Sequence, residues 1–217
     1  EFIMKKLKVA LLFGGCSEEY RVSLKSAYTI ISNIDTNKYD LIKIGITREG
    51  KWLKYDGPID ALLDDTWINT EYCTPAVLSP DKSMHGLLEI HENQVACIHV
   101  DVIFPMLHGK MGEDGSIQGL MEISGIPYVG CGIQSSVIGM DKELSYRVVH
   151  KAGVLTTRSN TLLTNLNDDI SKADEGLTYP LFVKPANSGS SFGVTKVARK
   201  QDLPSAILQA KNMEAKY

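Results

Sequence analysis

The sequence of 217 residues contains no apolar run approaching the roughly 18–20 residues that span a bilayer. It also lacks an opening apolar segment followed by a small-residue cleavage site, so neither a membrane span nor a secretory leader is expected. No lysine- and arginine-rich block occurs. The 23 basic residues stand against 26 acidic ones, a net charge of −3, which offers no surface for nucleic acid. Cysteine is scarce: Cys16, Cys73, Cys97 and Cys131 are scattered and form no CxxC pair, and Cys97-x-His99 has no second half for a zinc site. Four reduced thiols in a cytoplasmic protein are expected. Internal repeats and low-complexity stretches are absent as well.

What is present is a hydrophobic share of 43%, enough for one large domain or for one domain plus part of another. Met4 reads as the natural start, and Glu1, Phe2 and Ile3 before it as a cloning scar (residues 1–3). Lys8 to Phe13 is a β-rich apolar run ending in Gly14-Gly15, a buried first strand. Val22, Leu24, Ala27, Ile30, Ile31 and Ile34 follow at helical spacing, and Leu41 to Ile46 makes a second strand. This β-α-β order predicts a parallel sheet. Gly50 to Trp52 turns into a small hairpin, and Pro58 to Leu63 is a short helix candidate. Short strands are expected at Ala76–Leu78, Gly86–Ile90, Val95–Ile98 and Pro127–Val129, and a strong buried strand over Asp101–Leu107. Helices are expected over Ile117–Ile123, Asp141–Ala152 and Asp202–Lys211. Tyr179 to Lys184, a small-residue loop and Gly193 to Val197 read as an antiparallel hairpin, a different architecture from the β-α-β start. The boundary between the two is placed near residue 140.

Four short elements carry chemistry. Gly14-Gly15-Cys16-Ser17-Glu18-Glu19 lies between a strand and a helix, where open α/β sheets bind ligands. It is not a G-x-G-x-x-G fingerprint, and two carboxylates at a helix N-terminus would repel pyrophosphate and suit an ammonium. Alternatively the carboxylates only complement the helix dipole. His108-Gly-Lys-Met-Gly-Glu113-Asp114-Gly115 occupies a second strand-to-helix turn, with Glu113 and Asp114 available to pair with His108. The plainer alternative is that Asp114 or Ser116 caps the next helix. Met140-Asp141-Lys142 puts a lysine at a helix start, which the dipole disfavours unless a phosphate is bound there; an ordinary surface lysine is the other possibility. Lys184-Pro-Ala-Asn-Ser188-Gly189-Ser190-Ser191-Phe192-Gly193 is a small-residue loop able to wrap phosphates with backbone N–H groups, though not a P-loop; it could also be a flexible hairpin tip.

In this order the elements GG-x-S-x-E, HG-x-x-GEDG, MDK and KP-x-x-x-GSS-x-G resemble the landmarks of the D-alanine–D-alanine ligase family of the ATP-grasp fold, from about Lys6 to the end of the chain. Gly45 to Trp52 and Leu177 to Phe182 resemble in particular the VanG-type ligases of vancomycin resistance, which make D-alanyl-D-serine. The resemblance implies an N-terminal open parallel α/β sheet, pre-ATP-grasp-like, over residues 4–139. The first part of an α+β ATP-grasp central domain follows over 140–217. It implies an ATP-dependent peptide-bond-forming ligase of peptidoglycan precursor synthesis, acting on D-alanine and a second D-amino acid through an acyl phosphate, with ATP and magnesium, as a homodimer. By the same resemblance Glu19 holds the ammonium of the first D-alanine and Ser190 orients that substrate, bonded to Glu19. His108 and Glu113 line the substrate pocket. Lys142, Lys184 and Ser191 contact the phosphates of ATP. Where the family usually has a second glutamate, Arg21 stands, which would shift the local charge by two units. The family's magnesium ligands and transition-state arginine have no counterpart before Tyr217, so the sequence reads as a fragment inactive on its own. Two rival readings remain: another ATP-grasp carboxylate–amine ligase, which would lack the Glu19 and His108 pair, and a non-catalytic α/β binding or dimerisation module, which would bind no nucleotide.

Overall fold

The first strand, β1 (Leu7–Gly14), is buried on both faces, because Val9 to Phe13 are apolar without a break. Such a strand needs cover on two sides, and the sequence supplies it. Leu11 and Phe13 pack with Tyr20, Leu24 and Ala27 of α1 (Tyr20–Asn33). Ala10 and Leu12 pack on the opposite side with Ile117 and Met121 of the helix over Ser116–Ser124. The computed structural model describes residues 5–69, 71–162, 170–189 and 192–214. Its contacts divide the chain into two compact units, residues 1–137 and 138–217.

In the first unit β1 lies between two parallel partners, β2 (Tyr39–Ile46) and a strand over Val102–Pro105, with Val9 opposite both Leu41 and Val102. The expected parallel β-α-β core is therefore present. On the β2 side the sheet continues in the other sense. The strands β3 (Trp52–Tyr55), β4 (Cys73–Leu78), β5 (Gly86–Ile90) and β6 (Val95–His99) each run antiparallel to the one before. The Val102–Pro105 strand is β7, so the seven-stranded order is β6-β5-β4-β3-β2-β1-β7. Connection length explains the switch: Thr47 to Lys51 is a tight turn with Gly50 at φ +84°, too short for the crossover a parallel neighbour requires. A short helix, α2 (Asp60–Leu63), and α3 (Ser116–Ser124) complete the covering layers, α3 ending at Gly125 in the left-handed region.

Several elements differ from expectation: the strand expected over Asp101–Leu107 shortens to Val102–Pro105, and that over Ala76–Leu78 begins at Cys73. Val22 faces solvent, and the buried stripe of α1 is Tyr20, Ser23, Leu24 and Ala27. The strand expected at Pro127–Val129 reduces to one parallel bridge between Tyr128 and Ile103. A helix over Ile133–Met140, α4, was not anticipated: Ile133, Val137 and Ile138 are all largely exposed, so the segment has no buried stripe to give it a readable period.

The second unit pairs β8 (Leu181–Val183) with β9 (Thr195–Val197), antiparallel as expected, Phe182 opposite Lys196. Before them runs α5 (Lys142–Lys151) and after them α6 (Leu203–Glu214). Leu203, Ala206 and Ile207 of α6 bury against Val197, Leu181 and Val183. No helix among the described residues is long and apolar enough to cross a membrane.

Candidate functional site

In the first unit the chemistry gathers where β1 and β7 end. Gly14 and Gly15 turn the chain at φ +88° and +99°, and a side chain at Gly14 would strike the Ile46 carbonyl at 2.2 Å. Only glycine permits that approach. The Ser23 hydroxyl receives the Gly14 amide at 2.8 Å and donates to the Met106 carbonyl, tying the two turns together. Ser17 does the same one step further out. Its hydroxyl donates to the His108 carbonyl at 2.6 Å and receives the Glu19 amide at 3.1 Å.

Glu19 is buried, while its neighbour Glu18 is exposed. It stands at the N-cap position of α1 but makes no capping hydrogen bond. Its carboxylate instead faces Gly109, where a Cβ would lie 2.5 Å from Oε2. Gly109, at φ +69°, donates its amide to Glu113 Oε2 at 2.7 Å. Asp114 receives the amides of Met111 at 2.8 Å and Ser116 at 3.0 Å. Burial pushes the Asp114 carboxyl up, but these amide bonds outweigh it and the group ends below its usual range. The expected pairing of His108 with Glu113 and Asp114 is not made. Both carboxylates are spent on backbone amides of their own turn, and the His108 ring meets Ser26 of α1, Nε2 to Oγ 3.1 Å. Arg21 also points elsewhere: its guanidinium lies 3.5 Å from Asp65, which Arg48 holds at 2.9 Å.

In the second unit Asp141 caps α5 through the amides of Glu143 and Leu144. Lys142, the first residue of that helix, donates its amide to the Ala186 carbonyl at 3.1 Å and its ammonium to the carbonyls of Ala186, at 3.2 Å, and Ser188. Lys184, just past β8, donates to the Tyr146 hydroxyl at 2.8 Å. Lysines 42 positions apart in sequence thus flank one loop, and both line a cavity of about 890 Å³ and a second of about 420 Å³ that includes Ser188, Gly189 and Phe192. The larger also holds Arg158 and Lys211, with Glu143 as its one carboxylate among the described lining. That charge favours an anion. Among the described residues no three His, Cys, Asp or Glu side chains are grouped to hold a metal. Ser190 and Ser191 lie outside the described residues.

Comparison with known proteins follows the same division. A family model described as the D-ala D-ala ligase N-terminus matches residues 8–131, and one for the D-ala D-ala ligase C-terminus matches 148–217. The chain belongs to the D-alanine–D-alanine ligase family. It is 51% identical to the vancomycin/teicoplanin A-type resistance protein VanA of Enterococcus faecium, over 98% of this chain and 59% of VanA. It is 45% identical to a D-alanine–D-alanine ligase of Caldicellulosiruptor bescii, over 95% of this chain and 57% of that protein. The crystal structure of VanG D-Ala:D-Ser ligase from Enterococcus faecalis matches with a TM-score of 0.87 at 45% identity, over 96% of this chain and 60% of that one. A D-alanine–D-alanine ligase from Coxiella burnetii gives 0.80 at 29% identity, over 95% of this chain and 59% of that one. The ligase-family chain thus has the α/β architecture of ATP-grasp ligases and spans about 59% of the length of curated relatives it matches.

Two features of this family member were not read from its sequence. Ser23 and Ser26, three apart on α1, bond the second turn; polar residues interrupting a buried stripe were the signal. Tyr146 follows Lys142 by one helical turn, a spacing that puts both on one face.

Proposed function

We propose that this chain carries the first-substrate pocket and the opening of the nucleotide site of an ATP-dependent D-alanine–D-amino-acid ligase. The observation that carries the reading is Glu19, a buried carboxylate turned away from its own helix and onto the glycine turn of the second motif. Its negative charge suits the ammonium of an amino acid bound at that turn. We assign the substrate domain to residues 4–139 and the nucleotide-binding part to 140–217. In the reaction of this class, the D-alanine carboxylate attacks the γ-phosphate of ATP, releasing ADP. The amine of the second D-amino acid then displaces phosphate to form the peptide bond. Glu19 binds the first ammonium, and His108 and Glu113 border the same pocket. Lys142 and Lys184 bind the phosphates, and their charge suits the anion that moves between the substrates. Ser190 and Ser191 are assigned substrate orientation and phosphate contact by family likeness alone. We assign no step to magnesium, for which the described residues offer no ligand set. A homodimer working in the cytoplasm on peptidoglycan precursors completes the proposal; four free cysteines accord with a reducing compartment.

Titration of D-alanine into the chain in the presence of ATP tests this reading. Saturable binding of the D-isomer that Glu19→Gln removes supports it. Equal binding of L-alanine, or a Glu19→Gln variant that binds as before, overturns it.

A further inference from the structure

The two cavity lysines share an arrangement that the family likeness does not explain. Both ammonium groups donate to neutral oxygens: Lys142 to the Ala186 and Ser188 carbonyls, and Lys184 to the Tyr146 hydroxyl at 2.8 Å, its ammonium also 5.2 Å from the centre of that ring. Two acids at the start of α5 have partners of their own. Asp141 receives the amides that begin α5, and Glu143 is paired with Arg147 one turn further along. A carboxylate partner would cancel the charge of Lys184; a phenol leaves it intact.

Lys184 needs such a partner more than Lys142 does. It is exposed and lies beyond the end of a three-residue strand, so its flexible four-carbon stem would wander without a fixed acceptor. Tyr146 is half-buried on α5, one turn after Lys142, and lines the same cavity of about 890 Å³. The Lys184 ammonium beside it also draws the phenol below its usual range. We propose that Tyr146 is a positioning residue for Lys184, fixing its ammonium at the cavity in the pose that receives the phosphate of ATP. The proposal rests on the nucleotide reading above and adds to it a residue that acts through Lys184.

The test is the ATP affinity of the 217-residue chain, measured calorimetrically for Tyr146→Phe, Lys184→Ala and the double variant. Tyr146→Phe keeps the ring and removes only the acceptor. It should weaken binding about fivefold, the worth of one modest hydrogen bond. In the Lys184→Ala background it should have no further effect, because a residue acting through another loses its influence when that other is gone. With Lys142→Ala the losses should multiply, since Lys142 is held by the loop carbonyls. A general loosening of α5 would instead couple Tyr146 to Lys142 as much as to Lys184. Unchanged affinity in Tyr146→Phe, or losses that multiply with Lys184→Ala, overturns the positioning role alone. If the unsubstituted chain binds no ATP, or Lys184→Ala binds it as well as before, the nucleotide reading of Lys184 falls and takes this role with it.

Discussion

Glu19 and Gly109 are packed so closely that a single methyl group on Gly109 would stand 2.5 Å from the carboxylate oxygen. The contact joins the two glycine motifs of the first unit, 90 residues apart in sequence, at one point. Gly109 also sits at φ +69°, a conformation that side chains with a Cβ resist. We therefore expect Gly109→Ala to lower stability by about 1–3 kcal/mol, from backbone strain and overpacking together. It should also displace the carboxylate and weaken D-alanine binding at least as much as Glu19→Gln does. Urea unfolding and D-alanine titration read the two effects; a variant unchanged in both would mean that the carboxylate has room this packing denies it.

How legible this was differs by element. The strands β1 and β2 and the helix between them could be read because their apolar residues recur with one period and end in glycine or a polar cluster. The antiparallel extension was visible as pieces, Gly86–Ile90 down to its ends, but beyond the hairpin at Gly50–Trp52 its pairing was not, since pairing depends on connection lengths across 50 residues. At the site, glycine spacing marked both turns correctly. What spacing could not give was direction. His108 and Glu113, five positions apart, take different partners, Ser26 and the Gly109 amide, and Arg21, two positions after Glu19, points at Asp65. A helix rotates successive side chains by about 100°, so a charge change close in sequence need not be felt in the pocket.

That argument makes Arg21→Glu informative. The guanidinium side chain is 67% exposed and its partner Asp65 is already held by Arg48. Reversing the charge places a carboxylate beside Asp65, and the cost should stay below about 1 kcal/mol, as for other exposed pairs. It should shrink further in high salt. D-alanine affinity should change less than about twofold, because the residue does not enter the Glu19 turn. A large change in affinity at unchanged stability would place Arg21 within electrostatic reach of the bound ammonium after all.

Gly45, next to the end of β2, is glycine for a packing reason. A Cβ there would lie 2.3 Å from the Trp67 ring and 2.8 Å from Phe13. Trp67 is fully buried and set edge-on against both Phe13, at 5.0 Å between ring centres, and Tyr55, at 5.7 Å, so its ring can give way only by displacing both neighbours. Gly45→Ala should cost about 1–3 kcal/mol by overpacking, against the gain that alanine normally brings to a strand. A lowered urea midpoint with a shifted tryptophan emission is expected; a midpoint equal to or above that of the unsubstituted chain would show that the aromatic cluster repacks freely.

The same cluster gives the protein an alkaline limit. Tyr20 is buried beneath the Arg48 guanidinium, 3.8 Å from its ring, and its hydroxyl receives the Trp67 indole N–H at 2.8 Å. Burial above all, with help from Asp65, pushes its phenol up to about 12, against the lowering effects of Trp67 and Arg48. In the unfolded chain the group titrates near its ordinary value of about 10. The folded state thus keeps a proton the unfolded state gives up. The stabilisation is whole below about pH 10 and is lost as pH rises through about 12. Tyr20→Phe leaves the buried indole N–H without its acceptor, so it should be less stable at neutral pH by about 1–3 kcal/mol. The gap between the two proteins should then close above about pH 10, because the phenylalanine has no proton to lose. Urea midpoints measured from about pH 8 to about pH 12 follow that gap, and other tyrosines contribute equally to both curves. Two curves that stay parallel across the range would show that Tyr20 does not titrate with unfolding, and that its burial is relieved before its proton leaves.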